Sequence, residues 1–219
     1  MRSRNVFLQL VALMALCVAS TISAKAEDTI KLVAFGDSLT AGYLLAPEDA
    51  FPVQLEKALR ARGHDVTIVN AGVSGDTTSG GLSRLDWSVG EDVQGVILEL
   101  GANDALRGLD PATTRANMDE MVRRLTERGV KVLVAGMLAP RNLGEEYAEL
   151  YDPIFPEISQ KYEALYYPFF LEGVAANPML NLADGLHPTG EGVAVIVENI
   201  LPSVEKLIDQ IKAERASAE

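Results

Sequence analysis

Ser38, in Phe35-Gly36-Asp37-Ser38-Leu39-Thr40, and His187, in Asp184-Gly185-Leu186-His187-Pro188, are the side chains of this sequence whose types and settings point most directly to chemistry. A serine hydroxyl is a weak nucleophile until a neighbouring base takes its proton. Histidine is the usual base, and the chain has two. His64, in Arg62-Gly63-His64-Asp65, follows a helix end and reads as a solvated surface residue. His187 stands three residues after Asp184, with Gly185 between them to turn the chain. The carboxylate can then accept from one ring nitrogen, fix the tautomer and stabilise the imidazolium that forms when the ring takes a proton. Taken singly, each piece has a plainer reading: Gly-Asp-Ser is also a turn or a helix N-cap, and Asp184 can cap a loop. Two further stretches, Ala71-Gly72-Val73-Ser74-Gly75-Asp76 and Gly101-Ala102-Asn103-Asp104, hold glycine backbone and an amide side chain. Donors of that kind suit a developing oxyanion, although Gly75 and Asn103 also suit ordinary turns.

These motifs need a frame, and the apolar pattern supplies one. Lys31 to Phe35, Val66 to Val69, Val96 to Leu100 and Lys131 to Met137 read as strands, with a weak fifth within Tyr166 to Leu171, interrupted by Pro168. Phe51 to Arg62 reads as a helix ended by Gly63, and Asp110-Pro111 as the N-cap and first residue of another that runs to Gly129. A long helix is expected from Thr189 to about Lys212, bent near Pro202, and Leu138 to Pro156 as partly loop. Strands separated by helices and apolar almost throughout predict an α/β chain: a three-layer α/β/α sandwich with a central parallel sheet. In such a sheet, ligands bind beyond the carboxyl ends of the strands. Ser38, Gly75 and Asn103 all fall a few residues past the ends of the first three expected strands, which brings three motifs to one rim.

The ordered set of four motifs resembles the SGNH hydrolase superfamily, the GDSL-type esterases and lipases, and its spacing is most similar to the bacterial arylesterase, acyl-thioesterase and lysophospholipase branch. The resemblance runs from about Ile30 to about Ile208. It implies a flavodoxin-like sheet, a catalytic set of Ser38, Asp184 and His187, and an oxyanion hole made by the backbone N–H groups of Ser38 and Gly75 and the Asn103 amide. It implies hydrolysis of aryl esters, lysophospholipids and thioesters through an acyl-enzyme on Ser38. The alternatives are a carbohydrate O-acetylesterase, for which Trp87 and few other aromatics offer little to stack a sugar on, and a non-catalytic binding protein on the same fold. The G-x-S-x-G elbow of α/β-hydrolases is absent from the sequence.

Asp37, Asp76 and Asp104 flank the motifs and are expected to order loops. Glu99 interrupts an apolar strand and is expected to support the site from beneath, and Arg107 to pair with one of these acids. Leu138, Leu143, Tyr147 and Leu150 would either line an acyl groove or belong to a packed surface loop.

The chain has 219 residues, 48% of them hydrophobic, and a net charge of −12. That balance argues against a nucleic-acid partner and against charge-driven binding to an anionic membrane. Arg2 and Arg4, an apolar stretch from Val6 to Val18, and Ala24-Lys25-Ala26 have the form of a cleaved signal peptide over residues 1–26, with one domain over 27–219. The mature protein would then be periplasmic or secreted, with no stable membrane anchor. Cleavage would take Arg2, Arg4 and Lys25 from 19 basic residues and none from 31 acidic ones, leaving a net charge of −15. It would also remove Cys17, the only cysteine, and with it any disulfide or thiolate site. Two distant histidines and no mature cysteine argue against zinc, and no nucleotide-binding glycine pattern occurs, so no cofactor and no metal are expected. A small-molecule acyl ester is the expected partner.

Overall fold

The computed structural model describes residues 29–218, so the expected leader over residues 1–26 lies outside the described residues. In chain order the elements are β1 (Ile30–Gly36), α1 (Ser38–Ala41), α2 (Phe51–Ala61), β2 (Val66–Gly72), α3 (Thr78–Ser88), β3 (Gly95–Glu99), α4 (Ala102–Leu106), α5 (Pro111–Glu127), β4 (Lys131–Ala135), α6 (Glu145–Tyr151), α7 (Ile154–Lys161), β5 (Leu165–Tyr167) and α8 (Gly190–Ala218). The strands form one parallel sheet in the order β2-β1-β3-β4-β5. This is the doubly wound, flavodoxin-like order, whose chain reversal between β1 and β3 opens a crevice at the carboxyl ends of the strands.

The residues explain the layers. Every residue of β3 is buried, as are all but one of β1, because helices cover both faces of the sheet. Helices α2 and α8 pack together on one face; α3, α5 and α7 cover the other. Gly95 lets α8 approach closely, since a Cβ there would lie 2.7 Å from Leu32 and 3.0 Å from Ile211. Asp110 caps α5 by accepting from the Ala112 N–H at 2.9 Å, with Pro111 in the first turn, as the sequence predicts. No helix among the described residues is long and apolar enough to cross a membrane.

Several element boundaries depart from expectation, each for a tertiary reason. Strand β2 continues past Val69 to Gly72, because seven residues pair in register with β1, from Ile30 with Val66 to Gly36 with Gly72. Pairing overrides the weak strand preference of Asn70-Ala71-Gly72. Strand β4 stops at Ala135, and β5 is only three residues long, halted by Pro168, which has no N–H for a ladder. Helix α3 is not legible in the sequence, since Gly80 and Gly81 disfavour helix. Gly81 is what seats it: a Cβ there would come within 2.3 Å of Leu100 and 3.3 Å of Phe35. The stretch expected as partly loop after Leu138 carries a 3₁₀ turn (Arg141–Leu143) and helices α6 and α7. The final helix extends to Ala218 and continues through Pro202 without a break.

Candidate active site

Ser38 is the first residue of α1, two positions beyond β1. The turn that carries it is tightly built. A Cβ on Gly36 would lie 2.1 Å from Thr40 Oγ1 and 2.6 Å from the Glu99 carbonyl, so only glycine closes the turn. Asp37 caps α1 by accepting from the Leu39 N–H at 3.0 Å. Gly42 ends this four-residue helix in the left-handed conformation, at φ +82°. A Cβ on Gly72 would be 2.3 Å from the Ala41 nitrogen, so the end of β2 packs directly on the α1 backbone.

His187 reaches Ser38 from a loop 149 residues away in sequence, held as a small hairpin. Asn181 and Pro188 form an antiparallel bridge, the Leu182 N–H donates to the His187 carbonyl at 2.7 Å, and Gly185 turns the chain at φ +70°. Asp184 Oδ1 accepts from the Leu186 and His187 N–H groups at 2.9 and 3.0 Å, and its Oδ2 faces His187 Nδ1 at 2.7 Å. Those two backbone donors, and then the ring, hold the Asp184 carboxyl down at about 2. It is therefore ionised and can only accept, so the ring proton sits on Nδ1. The Nε2 lone pair is left facing Ser38 Oγ at 2.9 Å. This arrangement can draw the proton from the serine hydroxyl while that oxygen attacks a carbonyl.

Asn103 lies in α4 and donates its Nδ2 to Asp37 Oδ2 at 2.8 Å, on the same short turn that carries Ser38. Gly75 sits on the connection after β2 with φ +81°, and its carbonyl accepts from Arg107 Nη2 at 2.7 Å. Arg107 thus holds a backbone carbonyl rather than pairing with an acid, contrary to expectation. The partner of Asp76 is Arg84, with Nε 2.7 Å from Oδ2. Arg84 also donates to the carbonyls of Ala71 and Gly36, and its guanidinium lies 4.0 Å from the centre of the Phe35 ring. It ties together the ends of β1 and β2 and the turn after β2. Sequence reasoning missed it. The available signal was a charge three and four residues from Gly81 and Gly80, on the face of α3 that packs against the sheet.

The remaining acids order loops. Asp104 accepts from the Thr78 N–H and hydroxyl and from Thr114 Oγ1, joining α4 to α3 and α5. Glu99 is fully buried: Oε2 accepts from Thr40 Oγ1 at 2.8 Å and from the Asp37 N–H at 3.3 Å, and Oε1 has no partner among the described residues. Burial, and then the neighbouring Asp37 charge, push Glu99 well above the usual carboxylate range. Burial likewise raises Asp37, to about 6, against the opposing pull of its hydrogen bonds to Leu39 and Asn103. Since Asp37 rises on folding, the folded chain binds its proton more tightly than the unfolded one. The stability this group contributes is therefore fully present below the ordinary carboxyl value of 3.8 and is lost as the pH rises from there through about 6.

Tyr43 packs against the His187 ring at a tilt of 40°, with centroids 4.5 Å apart, a contact that nothing in the sequence signalled. His64 is half-buried rather than solvated: its Nε2 lies 3.3 Å from Glu205 Oε1. It precedes β2, at the end of the sheet opposite Ser38. Of the expected groove residues, Tyr147 is a packing residue, donating to the Leu109 carbonyl at 2.8 Å and stacking on Tyr151, while Leu138 and Leu150 are exposed. No group of three or more histidine, cysteine or acidic side chains among the described residues is placed to hold a metal ion.

Against this geometry, the likenesses to known proteins are informative. The GDSL-like lipase/acylhydrolase family matches residues 34–195. An arylesterase of Vibrio mimicus is 35% identical over 198 residues, spanning 90% of this chain and 99% of that protein. Thioesterase 1/protease 1/lysophospholipase L1 of Escherichia coli K12 is 30% identical over 193 residues, 88% of this chain and 90% of its own length. Among solved structures, TesA superposes with a TM-score of 0.77 at 35% identity, over 81% of this chain and 99% of that one. AlinE4, an SGNH-hydrolase family esterase, does so with a TM-score of 0.70 at 43% identity, over 82% and 97%.

Proposed function

Since this chain belongs to the GDSL-like lipase/acylhydrolase family and is a carboxylic ester hydrolase, we propose that Ser38 is its nucleophile, His187 its general base and Asp184 the group that orients the histidine. The observation that carries this reading is the unbroken relay from Asp184 Oδ2 to His187 Nδ1 at 2.7 Å and from His187 Nε2 to Ser38 Oγ at 2.9 Å.

The substrate is a small-molecule acyl ester. Ser38 Oγ attacks its carbonyl carbon as the hydroxyl proton passes to His187 Nε2. The tetrahedral oxyanion takes donors from the backbone N–H groups of Ser38 and Gly75 and from Asn103 Nδ2. Collapse breaks the ester bond, and Nε2 returns the proton to the departing alkoxide. A water molecule then attacks the acyl-enzyme, gives its proton to Nε2, and releases the acid as Oγ recovers the proton. Asp184, held at about 2, stays ionised throughout and stabilises each imidazolium.

Relatives carry the names arylesterase, esterase and thioesterase/lysophospholipase. Aryl esters, lysophospholipids and thioesters are accordingly the substrate classes proposed here. Hydrolysis of p-nitrophenyl esters of increasing acyl length, set beside an acetylated sugar, tests this. Turnover of the aryl esters with none of the sugar is the expected result; preferential deacetylation of the sugar would transfer the reading to a carbohydrate O-acetylesterase.

The leader motif supports export to the periplasm or the medium as a mature protein of residues 27–219. Intact-mass measurement of the protein from the expressing cell should find Glu27 as the first residue. Membrane-bound protein that retains Met1 would show an anchor instead.

A further inference from the structure

We infer that Asp37 is a positioning residue of the oxyanion hole: its buried carboxylate holds two of the three proposed donors, Ser38 N–H and Asn103 Nδ2, in one fixed relation. This inference rests on the oxyanion donors proposed above.

Both carboxylate oxygens are committed, and to different parts of the hole. Oδ1 accepts from the Leu39 N–H and so sets the first turn of α1, whose leading N–H belongs to Ser38. Oδ2 accepts one Nδ2 proton of Asn103 at 2.8 Å. A primary amide has two N–H groups at a fixed angle. With one anchored on Asp37, the direction of the other is set, and it is free to donate to an oxyanion. Oxyanion donors work because they are aimed before charge develops. An unanchored Asn103 would have to be ordered at each turnover.

The surroundings indicate which acid bears the charge. Asp37 and Glu99 are each fully buried, and the Asp37 N–H donates to Glu99 Oε2. Glu99 Oε1 has no partner among the described residues, and an ionised carboxylate with one oxygen orphaned in a dry interior is costly. Glu99 therefore keeps its proton, and the charge rests on Asp37, where each oxygen has a donor. The other charged groups near Asp37 are Asp76 from the turn after β2 and His187 from the loop before α8. Arg84 from α3 reaches the Gly36 carbonyl but spends its Nε on Asp76. Among the described residues no cation pairs directly with Asp37, so it is free to serve neutral N–H donors.

Two consequences separate this role from mere support of the fold. First, an amide has one acceptor oxygen where a carboxylate has two. Asp37→Asn must turn an N–H toward either Leu39 N–H or Asn103 Nδ2, in an unchanged volume. Second, protonated Asp37 presents a hydroxyl to one of the same two donors. With Asp37 raised to about 6, acid should weaken the hole as well as protonate the base.

The test combines steady-state kinetics on a p-nitrophenyl ester with active-site counting by a fluorophosphonate. Asp37→Asn should lower kcat by about 10²-fold, near the loss of one oxyanion donor, with KM within about threefold. Adding Asp37→Asn to Asn103→Ala should cost clearly less than the product of the two single losses, because the Asn103 part of the Asp37 role is already gone and only its contact with the Leu39 N–H remains to be lost. In the wild-type enzyme, log(kcat/KM) should fall with a slope steeper than one proton below about pH 6, and with a shallower slope in Asn103→Ala, where one of the two contacts that protonation disturbs is missing. The slope comparison stands even if Asp37→Asn does not fold. A one-proton slope in the wild type, fully additive losses in the double variant, or near-normal kcat in Asp37→Asn would overturn the inference. Full activity in Ser38→Ala would instead overturn the proposed mechanism beneath it, so the two failures are distinguishable.

Discussion

Ser38→Ala should abolish covalent labelling by a fluorophosphonate and lower kcat by about 10⁴-fold or more, the scale seen when one member of a serine triad is removed. The expectation follows from geometry. The hydroxyl lies 2.9 Å from the His187 ring nitrogen that is left to accept its proton, on the first residue of the short helix α1. The substitution removes one oxygen from a residue that is almost wholly buried and leaves the cap, the turn and the Asn103 contact in place. Thermal stability should therefore change little, which separates lost chemistry from lost folding. Asn103→Ala is the informative contrast. It should still be labelled, more slowly, and lose roughly 10²–10³-fold in kcat, as for one missing oxyanion donor. Labelling at Ser74 or Ser79, or full activity in Ser38→Ala, would show that the nucleophile is elsewhere.

His187→Ala should match Ser38→Ala in kcat to within about tenfold, and the double variant should be scarcely worse than either, because a nucleophile and its base fail together. His64→Ala should retain wild-type activity. Its contact with Glu205 lies at the other end of the sheet, and its loss should register in thermal stability alone. A histidine must be neutral to accept a proton, so wild-type kcat/KM should rise with pH through an acidic limb that the residual activity of His187→Ala lacks. Equal activity losses in the two histidine variants would remove the basis for assigning the base to His187.

The motifs and their order along the chain already carried the layout of the site. Apolar runs at Lys31 to Phe35, Val96 to Leu100 and Lys131 to Met137 are too continuous for a half-exposed sheet, so a parallel sheet covered on both faces follows from the pattern. The rule that ligands gather at the carboxyl ends of such strands then brought Ser38, Gly75 and Asn103 to one rim. The Asp184–His187 contact was legible because it is local: three residues and one glycine suffice to make it. The preference for His187 over His64 as the proposed base needed only their neighbours, since Asp184 stands three residues before His187 with a glycine to turn the chain, whereas the acid beside His64 is the directly adjacent Asp65.

What only the tertiary structure decided has a common physical cause: it depends on contacts between residues far apart in sequence, or on conformations that local preference opposes. Helix α3 forms across Gly80-Gly81 because the missing side chain lets it sit on Phe35 and Leu100, a gain that propensity alone does not register. Arg84 holds three separate segments through groups 8 to 48 residues away, and two of its partners are backbone carbonyls that have no sequence signature. For the same reason Arg107 was expected to meet an acid and instead meets the Gly75 carbonyl. The contact of the Tyr43 ring with His187 spans 144 residues and depends on how two loops lie. The proposed division of charge between Asp37 and Glu99 rests on which oxygen finds a donor, since the two acids are buried alike. Sequence thus pointed to the groups proposed to react, because their chemistry resides in residue type and short spacing. Their aim and ionisation waited on the fold, because orientation and dielectric arise only when distant segments pack.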